Sequence, residues 1–394
     1  MPAVNPVVLE WARETAGLQL PDAAAKLQIS SAQRLAEYEA GERQPSSPLL
    51  KKMAKTYRRP LITFYLSQPP IKGETGEDFR NLPQRETPNE PLVEALLRDV
   101  AARQAIVRSV LEDEEAEADR ELAFIGSRSL DNGFRQVLSS IEQELGLDRA
   151  AYRAQGSADA AFAYLRNKAE AAGVFVLLIG NLGTWHTNLE VSAFRGFALA
   201  DPVAPFVVIN DQDAKSAWPF TLLHELAHLW IGATGVSGAW GDSRIERFCN
   251  DVASEFLLPA QELPALDVVQ GMSIEDQAHK ISEFAGERFV SRSLVAYRLF
   301  LAGRVDHGRW LELAELFRSE WRASRDAAKE RARARDGGPN YYVVRRHRLG
   351  ASILQLVDRA LGAEIISPTR AAKVLGVKPR SVSTLLQAVH QEGG

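Results

Sequence analysis

The chain of 394 residues carries 47 Lys and Arg against 51 Asp and Glu, so it is neither a polyanion nor a histone-like polycation. With 45% apolar residues and one cysteine, it is long enough for roughly two or three globular domains and has no internal disulfide framework, which fits a reducing cytoplasm. The opening Met1-Pro-Ala-Val-Asn-Pro6 lacks a basic segment followed by an apolar core, and no uncharged run approaches the ~20 apolar residues of a membrane span; a cytoplasmic protein with no membrane partner is expected.

Residues 1–70 read as a bundle of short helices: Val7 to Ala16, Leu20 to Leu27, a turn at Gln28-Ile29-Ser30, then Ser31 to Glu39, Pro48 to Tyr57 and Pro60 to Leu66. An Ala-rich helix, a short turn, a polar helix and Gly41-Glu-Arg-Gln-Pro45-Ser resemble a helix-turn-helix domain of phage-repressor (XRE) type. In that fold the third helix reads the major groove. The resemblance places Gln33, Arg34 and Glu37 towards bases and Arg43, Lys51, Lys52, Lys55, Arg58 and Arg59 towards phosphates. Glu37 and Glu39 oppose this, because carboxylates on a DNA face are repelled by phosphate; a protein-docking module is the alternative.

Residues 71–91 are rich in Pro and Gly and read as a linker, with Asp78-Phe79-Arg80 a candidate docking segment. A long helix is expected from Leu92 to Ala118, ending in an acidic, solvated face, with further helices at 133–145 and 158–172. Val174-Phe-Val-Leu-Leu-Ile179 reads as a buried strand. His186 follows it; a cleft position is the functional reading and a structural histidine the ordinary one. Phe194 to Leu199 and Pro205 to Asn210 read as two strands with spacing that allows antiparallel pairing. Phe194, Arg195, Gly196 and Phe197 are the candidate edge on which an extended peptide would pair.

Trp218-Pro-Phe-Thr-Leu-Leu-His224-Glu225-Leu-Ala-His228-Leu-Trp-Ile231 is an apolar helix carrying His-Glu-x-x-His. Positions four apart share a helix face, so His224 and His228 can aim two imidazoles at one ion, with Glu225 beside them as general base. Two neutral imidazoles and a carboxylate suit Zn²⁺ with one position left for water. A Gly-rich loop, Gly232 to Asp242, leads to a second helix, 245–258, which ends before Pro259 and offers Glu246 and Glu255 as third ligand. Glu246 is preferred. It borders the apolar stripe, and Asn250 stands one turn on to hydrogen-bond it, while Asp251 is a candidate partner for a ligand imidazole. Cys249 falls at helical spacing with Val252 and Phe256, as a buried thiol would.

Phe194-Arg-Gly-Phe197, Pro205-Phe-Val-Val-Ile-Asn210, Phe220-Thr-Leu-Leu-His-Glu-Leu-Ala-His228 and Glu246-x-x-Cys-Asn250-x-x-Ala-x-x-Phe-Leu-Leu-Pro259 together resemble the ImmA/IrrE family of bacterial metallopeptidases. The resemblance implies zinc ligands at His224, His228 and Glu246 and a catalytic Glu225. It implies cleavage of a helix-turn-helix transcriptional repressor under stress or mobile-element control. The expected architecture is therefore mainly α and multidomain. A helix-turn-helix bundle precedes an α+β zincin-like metallopeptidase domain with a small antiparallel sheet (92–305), followed by a basic helical region (306–394). Phe289 to Leu299 resembles the segment that closes the family's peptidase domain, with Tyr297 or a nearby Arg a candidate for the oxyanion.

Leu311 to Arg335 is a long helix rich in Arg, broken by Gly337-Gly338-Pro339. Tyr341, Tyr342, Arg345, Arg346 and Arg348 follow it, a mix that suits double- or single-stranded DNA as well as a plain solvated helix. Ser367 to Leu386 again has the form helix, Leu-Gly-Val turn, helix, and reads as a second, small helix-turn-helix element. Besides peptidase, two readings stay open: a DNA-binding regulator that uses the peptidase fold without cleavage, and an antitoxin-like partner protein.

Overall fold

The computed structural model describes residues 3–70, 90–114, 121–183, 187–233, 235–237, 243–269, 271–333 and 340–387. The expected docking segment Asp78–Arg80, most of the linker and His186 lie outside them. The chain divides into two compact units, residues 1–100 with 181–193, and residues 101–180 with 194–394. No helix among the described residues is long and apolar enough to cross a membrane.

The first unit holds α1 (Pro6–Glu14), α2 (Leu20–Leu27), α3 (Ala32–Glu39) and α4 (Ser47–Thr56). Asn5, Ser31 and Ser46 each cap a helix by accepting from a backbone N–H of its first turn. Leu61–Tyr65, expected as a helix, is a short 3-10 segment. The core is Leu9, Ala12, Ala24, Leu27, Leu35, Leu50, Met53 and Phe64. α2 ends on Gln28 in the left-handed region (φ 55°), and this sets the turn into α3. α5 (Glu90–Asp113) runs through the division between the units.

The second unit opens with α6 (Phe134–Leu145), α7 (Arg149–Arg153) and α8 (Ala158–Ala171). Four strands follow: β1 (Phe175–Leu178), β2 (Gly196–Leu199), β3 (Phe206–Ile209) and β4 (Gly235–Ser237). Their order is β1-β3-β2-β4. β2 pairs antiparallel with β3, as expected, and also with β4, which is not among the expected strands; β1 lies parallel to β3, so the sheet is mixed. Every residue of β1, β2 and β3 is buried, as strands covered on both faces require.

Helices α9 (Trp218–Trp230) and α10 (Ser243–Leu257) form the centre of this unit. Nearly all of α9 is buried. Its last carbonyls are capped by backbone: Gly126 N–H donates to Leu229 and Arg128 N–H to Trp230. α10 turns Cys249, Val252, Ala253 and Phe256 inward, all fully buried. Its carbonyl end is held by arginines from α7, Arg149 donating to Glu255 and Phe256 and Arg153 to Leu257. α11 (Ile274–Glu287), α12 (Arg292–Leu301), α13 (His307–Arg333), α14 (Tyr341–Leu349), α15 (Ala351–Gly362), α16 (Pro368–Leu375) and α17 (Val382–Gln387) complete the unit.

A buried ion pair joins α8 to the C-terminal helices. Arg166 Nε donates to Glu170 at 2.9 Å, and its other nitrogens reach the carbonyls of Val176 and His347. Glu170 accepts from the backbone N–H groups of Ala351 and Ser352, where Gly350 (φ 85°) passes too close for any side chain. Breaking one partner leaves the other buried and unpaired. Glu170→Ala is therefore expected to destabilise the protein by ~3–5 kcal/mol, read as a lower denaturation midpoint and faster proteolysis after residue 340; an unchanged midpoint would refute this.

Candidate active site

His224, Glu225 and His228 occupy one stretch of α9 and are at most 4% exposed. α9 packs closely on α10, which brings Glu246 across to both rings. Glu246 Oε2 lies 3.3 Å from His224 Nε2, and Oε1 lies 3.4 Å from His228 Nε2. The two Nε2 atoms are 3.1 Å apart. For an ion held tetrahedrally at ~2.0–2.2 Å by N and O donors, ligand atoms stand ~3.3–3.6 Å apart; each Glu246 oxygen is at that spacing from one ring, and the two Nε2 atoms are slightly closer. The donor set therefore fits a small divalent cation.

The electrostatics agree with that fit. Burial works to raise the Glu246 carboxyl, but its bonds to His224 and His228 outweigh this and bring it down to about 2, a carboxylate at any ordinary pH. Burial works to lower His228, yet Cys249, Glu246 and Glu225 around it raise it well above the usual imidazole value. A fixed positive charge is what this pocket favours.

The surrounding residues are placed differently from expectation in several cases. Asn250 does not serve Glu246. Its Oδ1 sits 3.0 Å from His224 Nδ1, so that nitrogen donates and Nε2 is left with its lone pair towards the centre. Asp251 does not meet an imidazole; the charges around it are Arg298, Arg247 and Glu255. Glu255, the other candidate ligand, faces Arg298 at 3.4 Å and Arg135 at 3.7 Å. Cys249 is buried with its sulfur within 4.8 Å of a ring nitrogen of each histidine, and burial raises its thiol pKa despite His228. Of the candidates for the oxyanion, Tyr297 packs on Trp310 at 5.7 Å where α12 meets α13, and Arg298 faces Glu255 at 3.4 Å.

The expected peptide-binding strand also needs correction. β2 begins at Gly196 and is flanked on both sides, by β3 and by β4, so Gly196 and Phe197 are not at an edge, while Phe194 and Arg195 precede the strand. The three-residue β4 lies within the stretch expected as a glycine-rich loop, and so short a run carries no alternation to mark it as a strand. Phe194 and Phe197 are fully buried, and Arg195 lies 3.7 Å from Asp213. Gly196 has a different role. A Cβ there would lie 2.6 Å from Thr221 Cγ2, 2.8 Å from Glu225 Oε1 and 3.0 Å from the Val208 carbonyl, so its missing side chain is the space that Glu225 fills.

In the first unit, Gln33 and Arg34 are exposed on α3 and Lys51 on α4. Arg43 pairs with Glu37, and Lys52 donates to Gln28 at 2.7 Å. Glu39 is not on the outer face; it is buried against Arg13 at 2.9 Å, which removes one of the two carboxylates expected to repel DNA. Arg59, expected at phosphate, lies over the Trp11 ring at 4.3 Å and donates to Thr15.

A helix-borne pair of imidazoles, an adjacent glutamate and a carboxylate from the next helix define a metallohydrolase-type centre. Residues 182–300 match a peptidase family model described as the IrrE N-terminal-like domain, and residues 9–64 match one described as helix-turn-helix. The chain thus carries an IrrE N-terminal-like peptidase domain preceded by a helix-turn-helix domain. No curated protein and no solved structure matches it.

Gly196→Ala should force Thr221 and Glu225 to shift, costing about 1–3 kcal/mol of stability and most of the activity. Differential scanning calorimetry and a peptidase assay check this; wild-type values in both would refute it.

Proposed function

We propose that the protein is a zinc-dependent endopeptidase whose substrate is another protein, a helix-turn-helix transcriptional repressor. The observation that carries the hydrolase reading is the convergence of Glu246 with both ring nitrogens at 3.3 and 3.4 Å inside a buried helix pair. His224, His228 and Glu246 would hold the ion, with Asn250 fixing the His224 tautomer. Zinc, when bound, supplies Lewis acidity that polarises a carbonyl and acidifies water at neutral pH. Glu225 takes the proton from the attacking water and delivers it to the leaving amine as the C–N bond breaks. With β2 covered on both sides, an extended substrate would pair with β4 or follow the open side of α10 rather than lie on β2. The repressor as substrate rests on the family resemblance and on the helix-turn-helix match at residues 9–64, a module suited to meeting a protein of similar fold or the DNA it occupies.

Three variants test the assignment. Glu225→Gln is expected to keep zinc, read by elemental mass spectrometry, and to lose on the order of 10²–10⁴-fold in cleavage rate. His224→Ala is expected to lose both. Asn250→Ala should weaken zinc binding by about 10–100-fold in a chelator competition while leaving the fold intact. The substrate assay is incubation with the repressor encoded beside the protein, with and without single-stranded DNA, and mass spectrometry of the fragments. Cleavage by Glu225→Gln at the wild-type rate would end the hydrolase reading.

A further inference from the structure

The C-terminal end of the second unit repeats the turn of the N-terminal helix-turn-helix. α2 and α16 are both eight residues long, and each carries an Ala pair on its buried face, Ala23-Ala24 and Ala371-Ala372, followed by a buried Leu27 or Leu375. Each ends on a left-handed residue, Gln28 at φ 55°, ψ 40° and Gly376 at φ 59°, ψ 39°. The next residue closes the same bond: Ile29 N–H donates to the Ala24 carbonyl at 2.9 Å, and Val377 N–H to the Ala372 carbonyl at 3.0 Å. The chain then enters a second helix, α3 in one case, and in the other a 3-10 turn at Pro379–Ser381 that runs into α17. Val382, Leu385 and Leu386 bury its inner face. Only the first of these turns lies in the segment that matches the helix-turn-helix family, and the second lies beyond both family matches.

The outer face decides what the second turn can meet. Lys378, Arg380, Ser383, Thr384 and Gln387 are exposed along it. Among the described residues neither Lys378 nor Arg380 makes an ion pair, and from 365 to 387 the sequence has four Lys or Arg and no Asp or Glu. Arg345 adds charge behind the turn, donating to the Leu375 carbonyl, and Arg103 lies beside Gly376. On α3 the two acids are paired, Glu37 with Arg43 and Glu39 with Arg13, and Arg34 is its one outward charge. A third turn of this kind, from α11 through Phe289 (φ 52°) into α12, has its second helix packed on α13 through Tyr297 and Arg292.

We propose that the helix-turn-helix at Ser367–Gln387 is a double-stranded DNA-binding surface, with Lys378 and Arg380 on phosphates and Ser383, Thr384 and Gln387 towards base edges in the major groove. Exposed Arg, Lys, Gln, Ser and Thr are the side chains that bind phosphate and read bases, and an acid-free face meets no repulsion there. This inference stands whether or not the peptidase centre is active.

The test uses the full chain and a fluorescein-labelled DNA duplex pool of randomised sequence, titrated by anisotropy at several salt concentrations. The wild type is expected to bind. Lys378→Glu with Arg380→Glu should weaken binding by about tenfold or more and lower the salt slope by about one for each phosphate left without its cation. Ser383→Ala with Gln387→Ala should keep binding to the unselected pool and narrow the preference for duplexes the wild type enriches. Arg34→Glu with Lys51→Glu, in the N-terminal domain, should not reproduce the weakening. If circular dichroism shows that charge reversal unfolds the C-terminal helices, the paired Gln substitutions replace it with the same expectation. Unchanged affinity and slope in the Lys378/Arg380 variants, no duplex binding by the wild type, or a bound protein in place of DNA would each overturn the proposal.

Discussion

Helix α9 is buried on almost every side, and that burial is the constraint on which the site depends. His224, Glu225 and His228 are almost wholly withdrawn from solvent. Polar and charged groups in such a place cost several kcal/mol unless each is paired. Asn250 satisfies one ring nitrogen of His224, and Glu246 stands opposite both Nε2 atoms. Two imidazoles facing each other at 3.1 Å across a carboxylate still make a poor neutral arrangement, since at most one can donate to the other. A divalent cation between the two Nε2 atoms and the Glu246 carboxylate would relieve this conflict.

The site is consequently only as rigid as the packing of α9 on α10. Each helix is tied at its carbonyl end by groups from a segment earlier in the chain. Backbone N–H groups of Gly126 and Arg128 hold α9, and the α7 arginines hold α10. The Gly126 Cα lies 3.1 Å from where a Cβ would stand on Gly232, so a side chain at Gly232 would crowd the loop that caps α9. Gly196 does the same service from the sheet, leaving room for Glu225. Two close backbone approaches, at Gly232 and at Gly196, therefore bear on one helix, as expected where small displacements decide whether donors stay in register.

The elements whose local pattern is long are legible in the sequence. The four-residue spacing of His224 and His228, in an apolar run opened by Pro219, defines both the helix and its functional face, and α2 is read to its ends because Leu20-Pro21 and the Gln28 turn punctuate it. The place of Glu246 beside the apolar stripe favours it over Glu255, and the structure brings it alone of the two to the histidines. Sequence cannot supply interactions made at long range. The partner of Asn250 depends on the crossing of α9 and α10, Arg149 and Arg153 sit about a hundred residues from the carbonyls they bind, and β4 exists only because β2 is there to pair with it. The exposed or buried fate of Glu39 likewise hangs on Arg13, a residue of another helix.

The same distinction bears on the two ends of the chain. A helix-turn-helix is specified by a local turn, and Ala-Ala, a left-handed cap and a β-branched residue suffice to form it at 23–29 and again at 371–377. Its function is not local. α3 and α17 leave the same kind of turn, yet the acids on α3 are matched by Arg13 and Arg43, while the turn into α17 carries Lys378 and Arg380 and α17 itself hydroxyls, with no acid among them. Fold family follows from the turn, whereas the partner follows from the charges that remain outward once internal pairs are made. By that criterion the basic face at Lys378 and Arg380 suits a polyanion, and the N-terminal bundle, with Glu37 and Glu39 paired inside it and Arg34 and Lys51 outward, suits DNA or another protein.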